Sequence, residues 1–132
     1  MTISRNSWLF LVLGLLIGAA GMAAYAFGRW NIENVRIETA RANTHLDLLE
    51  RWQHRDDSAR LFARGEAQAA LATLAAFDDL SFFQCVNRRK VLERASLIPE
   101  LTRGNDSASV AAAQLLSRHR AGAFVCERGN GP

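Results

Sequence analysis

The chain has 132 residues, the length of one domain, and 49% of them are hydrophobic. Its net charge of +3 comes almost entirely from arginine, since Lys90 is the only lysine. A charge this small, spread along the chain, does not predict nucleic-acid binding, which favours a stripe of basic residues on one face. The composition therefore indicates one small module without a nucleic-acid partner.

The N-terminal segment predicts a single membrane-spanning helix over 8–28, preceded by a short tail over 1–7. No charged residue lies between Arg5 and Arg29, and the run over 8–28 is dominated by aliphatic side chains, alanine and glycine. At about 1.5 Å per residue, this helix is roughly 31 Å long, which matches the hydrocarbon core of a bilayer. Trp8 and Trp30 would place aromatic rings near the two membrane surfaces.

The same segment also contains a possible signal-peptidase motif. Ala24, Tyr25 and Ala26 have the small-x-small pattern, and cleavage after Ala26 would release a secreted helical protein. We favour a retained anchor, because the apolar run is longer than the roughly 7 to 15 residues usual in a cleaved signal. The cleaved, secreted form stays as an alternative.

Glycines on the predicted span favour close approach of a second helix. Gly14 and Gly18 form a G-x-x-x-G pattern, and Gly21 extends it. Small side chains at this spacing let two membrane helices pack tightly. A packing role would mean a homodimer through this helix or docking on a larger membrane complex. The alternative is that these glycines reflect only the high frequency of glycine in membrane helices.

The side of the membrane on which the domain lies is indicated by two conflicting signals. Arg29, Arg36 and Arg41 follow the span, so the positive-inside rule, counted strictly, favours a cytoplasmic domain. The position of the span at the N-terminus and a pair of cysteines favour export instead. We expect an inner (cytoplasmic) membrane protein with its C-terminal domain in the periplasm.

Helical periodicity continues beyond the span. The segment 31–54 contains no proline or glycine, and its apolar residues follow helical steps. These features predict a helical stalk over 29–55 that holds the following domain away from the membrane. The stripe consists of Ile32, Val35, Ala42, Leu46, Leu49 and Gln53.

A helical domain is predicted over 56–121. A turn over 55–65, with Asp56, Asp57 and Ser58 as possible caps, precedes an alanine- and leucine-rich helix over 66–77. Small, helix-forming alanines predict close packing against a neighbouring helix. The residues predicted to share the buried face are Ala67, Ala70, Leu71, Leu74 and Phe77.

Two more helices complete the predicted domain, over 80–97 and 107–120. The first ends at Ile98-Pro99, because proline removes a backbone donor and restricts the residue before it. Gly104, Asn105 and Asp106 supply the stop and start signals before the second. The predicted buried residues are Phe82, Cys85, Val86, Leu92 and Ala95 in one helix and Val110, Ala113 and Leu116 in the other.

These patterns predict an all-α fold, because no useful length of strand-like alternation occurs. One N-terminal transmembrane helix continues into a stalk and is followed by a small antiparallel helical bundle or hairpin array. Residues 122–132 end in Gly-Asn-Gly-Pro and are predicted to form a flexible tail.

The two cysteines, Cys85 and Cys126, are 41 positions apart. In an exported domain they would form a disulfide that ties the C-terminus to the predicted helix over 80–97. In a cytoplasmic domain both would be free thiols. The absence of a C-x-x-C pattern gives no support to a redox enzyme or a zinc site.

The densest group of positive residues falls on the predicted helix over 80–97. Adjacent residues on a helix spread over about 200 degrees, so an ordinary solvated face is expected rather than a binding site for lipid headgroups, an acidic partner or nucleic acid. The group consists of Arg88, Arg89, Lys90 and Arg94.

The titratable residues do not predict a metal site. His45, His54 and His119 lack metal-ligand spacing, and neither Asp56-Asp57 nor Asp78-Asp79 converges on one point of a helix. No phosphate-binding loop, nucleophile elbow or calcium loop is present in the sequence either. We therefore expect no catalytic activity, no cofactor and no small-molecule substrate.

The remaining features favour a membrane-anchored helical module for protein interaction or assembly, with another protein as its partner. Some large apolar residues exceed what a thin core would absorb and are candidates for exposed contacts. An alternative is a structural envelope or lysis-accessory subunit of the inner-membrane spanin type, for which a long rod is expected. The candidate contact residues are Trp52, Leu61, Phe62, Phe82 and Phe83.

Overall fold

The computed structural model describes residues 5–52, 57–77 and 80–126, with side chains from Trp8 onward. All regular secondary structure in these residues is helical, which confirms the all-α prediction. The elements are α1 (Arg5–Arg51), α2 (Asp57–Ala75), α3 (Phe82–Ala95), a 3₁₀ turn (Pro99–Thr102) and α4 (Ser107–Arg120).

The chain divides into two compact units, Met1–Asn34 and Val35–Pro132, called unit 1 and unit 2 below. In unit 1, α1 begins at Arg5, and every side chain over 8–27 is exposed. This helix is long and apolar enough to cross a membrane. Unit 1 therefore presents apolar side chains on all sides of a helix.

Unit 2 is built around a core of leucine, alanine and valine. The residues of α1 over 35–51 contribute to it, because Val35, Ala42, Leu46 and Leu49 are all buried. Ile32, which belongs to the same predicted stripe, is 54% exposed, and Gln53 lies outside the described residues. Residues 35–51 of the segment predicted as a stalk thus belong to unit 2 and contribute to its core.

Helices α2 and α4 pack extensively against each other. Ala63, Ala67 and Ala70 on α2 and Ala112 on α4 are fully buried. Because the distance between packed helices depends on the side chains at the contact, alanines allow a close approach. This packing agrees with the tight contact predicted for the alanine-rich segment.

Helix α4 begins and ends at the predicted residues. The Asp106 carboxylate accepts hydrogen bonds from the backbone N–H groups of Ala108 and Ser109, both at 3.0 Å, which makes Asp106 the N-cap. Gly104 has a φ of +140°, and a Cβ there would lie 2.6 Å from Ser109 Oγ. The turn before α4 therefore requires glycine for both its backbone conformation and its space.

The predicted bounds of α2 were wrong at both ends. The helix begins at Asp57 and runs through Gly65, where no atom lies within 4 Å of an added Cβ, because good helix formers on both sides carry the helix through the glycine. It ends at Ala75, so Phe77 packs on the core from beyond the helix. Asp56, a predicted cap, lies outside the described residues.

The buried faces of α3 and α4 also differ from the prediction. Val110 is 44% exposed, because the buried side of α4 runs through Ser109, Ala112, Leu115 and Leu116. Ser109 can lie in the core because its hydroxyl donates to the Asp106 carbonyl oxygen at 2.9 Å. On α3, the buried residues are Cys85, Arg88, Val91, Leu92 and Ala95, whereas Phe82 and Val86 are half-buried.

Candidate functional site

The glycine row of the predicted span lies on the exposed part of α1. A Cβ built on Gly14, Gly18 or Gly21 would meet no atom within 4 Å. The row is therefore open along unit 1, and the homodimer that it suggested stays a prediction.

The two cysteines are brought to disulfide distance. Cys85 lies in the first half of α3 and Cys126 at the end of the segment 122–126, which we call the C-terminal strap, and their Cα atoms are 5.7 Å apart. A separation of 5.7 Å is typical of paired cysteines. The strap thus joins α3, as predicted for these residues. The part of the predicted tail over 127–132 lies outside the described residues.

Phe124 fixes the strap at a second point. The guanidinium carbon of Arg88 lies 4.4 Å from the centre of its ring, and that of Arg118 lies 5.1 Å away. Arg88 is 5% exposed, and its Nη1 donates to the Phe77 carbonyl oxygen at 2.6 Å. A buried cation held by a carbonyl and an aromatic face is a structural tie between the strap and the segment before α3.

The predicted basic group is divided among different environments. Arg88 is buried, so the expectation of a solvated side chain was wrong at this position, because the residue faces the strap. Arg89 and Lys90 are exposed, and Arg89 pairs with Glu93 one turn later at 2.9 Å. The four residues therefore do not form one cationic surface.

Arg94, the fourth member of the group, joins α3 to α1. Its guanidinium donates to Asn43 Oδ1 at 3.1 Å, to Asp47 Oδ1 at 2.5 Å and to Glu50 Oε2 at 3.0 Å. The hydrogen bonds to Asp47 and Glu50 raise the pKa of Arg94. This arginine acts as a link between helices.

A second polar link joins α1 to α2. Arg41 Nε donates to Glu66 Oε2 at 3.1 Å, and its Nη2 donates to the same oxygen. The hydrogen bond from Arg41 lowers the pKa of Glu66. His45 Nε2 lies 3.9 Å from this oxygen, and the His45 ring meets the Phe62 ring edge-on, with the centroids 6.2 Å apart.

Three of the five predicted apolar contact residues are exposed. Leu61 is 56% exposed, Phe62 65% and Phe83 77%. Trp52 and Phe82 are half-buried, and the Phe82 ring packs edge-on against Phe83 at 5.7 Å. Sequence reasoning missed Leu97 and Val125, which are 80% and 73% exposed.

Two clefts flank an ion pair that the sequence did not predict. Arg60 Nη2 donates to both carboxylate oxygens of Glu100 at 2.9 Å, joining α2 to the 3₁₀ turn. The first cleft, cleft A, has a volume of about 270 Å³, and the second, cleft B, is of the same size. The break at Ile98-Pro99 marked this loop in the sequence, but not its contact with α2. Besides Arg60 and Glu100, cleft A is lined by Leu49, Glu50, Leu97, Ile98, Pro99 and Arg103, and cleft B by Asp57, Leu61 and Arg64.

The described residues contain no group of three or more His, Cys, Asp or Glu side chains arranged to hold a metal ion. His54, Asp56, Asp78 and Asp79 lie outside these residues. Comparisons of the chain with protein-family models, with curated proteins and with solved structures found no match.

Proposed function

We propose that the protein is a single-pass inner-membrane protein whose unit 2 lies in the periplasm and serves, without catalytic activity, as an interaction or assembly module for another protein. The observation that carries this proposal is the exposed apolar helix of unit 1, joined in one chain to a unit with its own core. Exposed apolar surface costs about 25 cal/mol per Å² in water, and lipid removes that cost.

The cysteine pair supports the periplasmic side. Cys85 and Cys126 lie at disulfide distance, and disulfides persist in oxidising compartments such as the periplasm. The tie from Phe124 to Arg88 and Arg118 holds the strap near α3 in the same arrangement.

The exposed apolar side chains of unit 2 support an interaction role. Leu61, Phe62, Phe83 and Leu97 each expose more than half of their surface. Contiguous apolar patches on a folded surface are typical of protein-interaction sites. Unit 2 is compact, which favours this role over the rod expected of the envelope subunit.

Thiol labelling of the full chain tests the side of the membrane. In spheroplasts we expect a membrane-impermeant maleimide to label neither cysteine before reduction and both after it. Cys85→Ser is the control, because it leaves Cys126 unpaired and open to labelling without reductant. Thiols that react only after lysis would place unit 2 in the cytoplasm.

Photo-crosslinking tests the interaction role. A photoreactive amino acid in place of Phe62, Phe83 or Leu97 should give a discrete protein adduct in native membranes. Gln114, an exposed polar residue of α4, is the matched control position and should give none. Absence of an adduct at all three apolar positions would contradict the interaction role.

A further inference from the structure

Clefts A and B form one continuous surface, because Arg60 and Glu100 line both. Leu97, 80% exposed, stands at cleft A, and Leu61, 56% exposed, stands at cleft B. Each volume, about 270 Å³, is below the range of roughly 300–1,000 Å³ typical of small-molecule sites. The surface therefore suits individual side chains of a protein segment better than a metabolite.

The residues between the two clefts, Arg60 and the 3₁₀ turn that carries Glu100, are fixed by contacts within unit 2. Gln68, 4% exposed, donates from Nε2 to the carbonyl oxygens of Leu101 and Arg103, both at 3.0 Å. Leu101 is fully buried in the core, and Arg60 on α2 forms an ion pair with Glu100. A preorganised surface loses little conformational entropy on binding, which favours docking.

The charges around the clefts favour an acidic partner. Within the described parts of the chain, Arg64 and Arg103 form no ion pair, and Arg64 Nε is buried without a hydrogen-bond acceptor. Two of the three carboxylates that line the clefts already form ion pairs, Glu100 with Arg60 and Glu50 with Arg94. Asp57 lies in the first turn of α2, where the helix dipole stabilises its charge.

We propose that this surface binds a protein segment that inserts a leucine-like side chain into cleft A and sets carboxylates against Arg103 and Arg64. The apolar wall of Leu49, Leu97 and Ile98 receives the inserted side chain. The two unpaired guanidinium groups select acidic neighbours in the segment, because charge-assisted hydrogen bonds to carboxylates are strong and directional. This inference rests on the proposed role of unit 2 as an interaction module.

Selection of a random displayed peptide library on the full chain in detergent micelles tests the inference. We expect enriched peptides that combine leucine, isoleucine or phenylalanine with neighbouring aspartate or glutamate. Leu97→Asp should weaken the binding of a selected peptide by about tenfold or more, because a buried leucine contact is lost. Arg103→Glu should weaken the binding of acidic peptides. It should strengthen the binding of peptide variants in which lysine replaces the acidic residue.

Val125→Asp is the matched control and should leave peptide binding unchanged, because Val125 is 73% exposed, against 80% for Leu97, and lines neither cleft. Peptides that depend on Phe83 and not on Leu97 would overturn the cleft proposal while leaving an interaction module in place. Enrichment without acidic residues, or no enrichment, would also overturn it. A dimer of the full chain that Leu97→Asp dissociates would make a second copy the occupant and contradict the proposal.

Discussion

Buried polar side chains set how the loops of unit 2 are held. Gln68 and Arg88 are 4% and 5% exposed. Gln68 donates to two backbone carbonyl oxygens, those of Leu101 and Arg103, and Arg88 donates to the carbonyl oxygen of Phe77. A buried polar group without a partner costs about 1–3 kcal/mol, so these contacts fix the loops as well as filling space. The clefts and the strap both depend on such side chains.

Two glycines should respond in opposite directions to the same substitution. Gly104→Ala should lower the free energy of unfolding by about 1–3 kcal/mol, because its φ of +140° and the nearby Ser109 Oγ exclude a Cβ. Gly65→Ala, in the middle of α2 with open space around it, should raise it by up to about 1 kcal/mol. Denaturant unfolding measures both, and equal effects would contradict the description of these sites.

The ion pair of Arg41 and Glu66 predicts a pH dependence. The folded-state pKa of Glu66 lies below its ordinary value of 4.5, so the pair stabilises unit 2 above that value and loses its effect as the pH falls through the lowered pKa. Glu66→Gln should therefore reduce stability at neutral pH and have little effect in acid, once Glu66 is protonated in the folded state as well.

Denaturant unfolding measured at neutral pH and in acid checks this effect of Glu66→Gln. Glu93→Gln is the control, because Glu93 pairs with Arg89 on an exposed helix face, where such pairs contribute little. A difference between Glu66→Gln and the unsubstituted chain that persists in acid would contradict the ion-pair explanation.

At the level of helices, the predictability of each element follows from its local signals. Helix α4 was predicted over its full length because Gly104 and Asp106 give unambiguous stop and start signals. The start of α2 was missed because Gly65 suggested a turn, whereas the surrounding helix formers carry the helix through it.

The candidate site was less predictable than the fold. The pairing of Cys85 with Cys126 could be predicted because the chain has two cysteines. The exposure of Phe83 could be predicted because the chain has more large apolar residues than a thin core can bury. The burial of Arg88 depends on Phe124, 36 positions away, and cleft A depends on the Arg60–Glu100 pair, 40 positions apart. Periodicity along one helix carries no information about such distant contacts.

The C-terminal strap predicts the effect of losing the cysteine pair. Cys126→Ser should lower the free energy of unfolding by about 2–4 kcal/mol, because a closed loop of 41 residues restricts the unfolded chain. Cys85→Ser should give a similar loss. Reductant should lower the free energy of unfolding of the unsubstituted chain to the same level. Thermal unfolding with and without reductant measures this, and insensitivity to reductant would show that the pair is not bonded.

For the whole molecule, the surfaces of the two units are suited to different solvents. Unit 2 buries its leucines and alanines in a core of its own, while the side chains of unit 1 over 8–27 have no contact partners that bury them. The proposed anchor accounts for this contrast, because a lipid bilayer is the environment in which a helix exposing apolar side chains is stable.

Alkaline carbonate extraction of cell membranes, followed by N-terminal sequencing of the retained protein, tests the anchor most directly. We expect the full chain to stay in the membrane pellet with residues 1–26 still attached. A chain found in the soluble fraction with its first residues intact, or a mature chain that begins at Phe27, would contradict it.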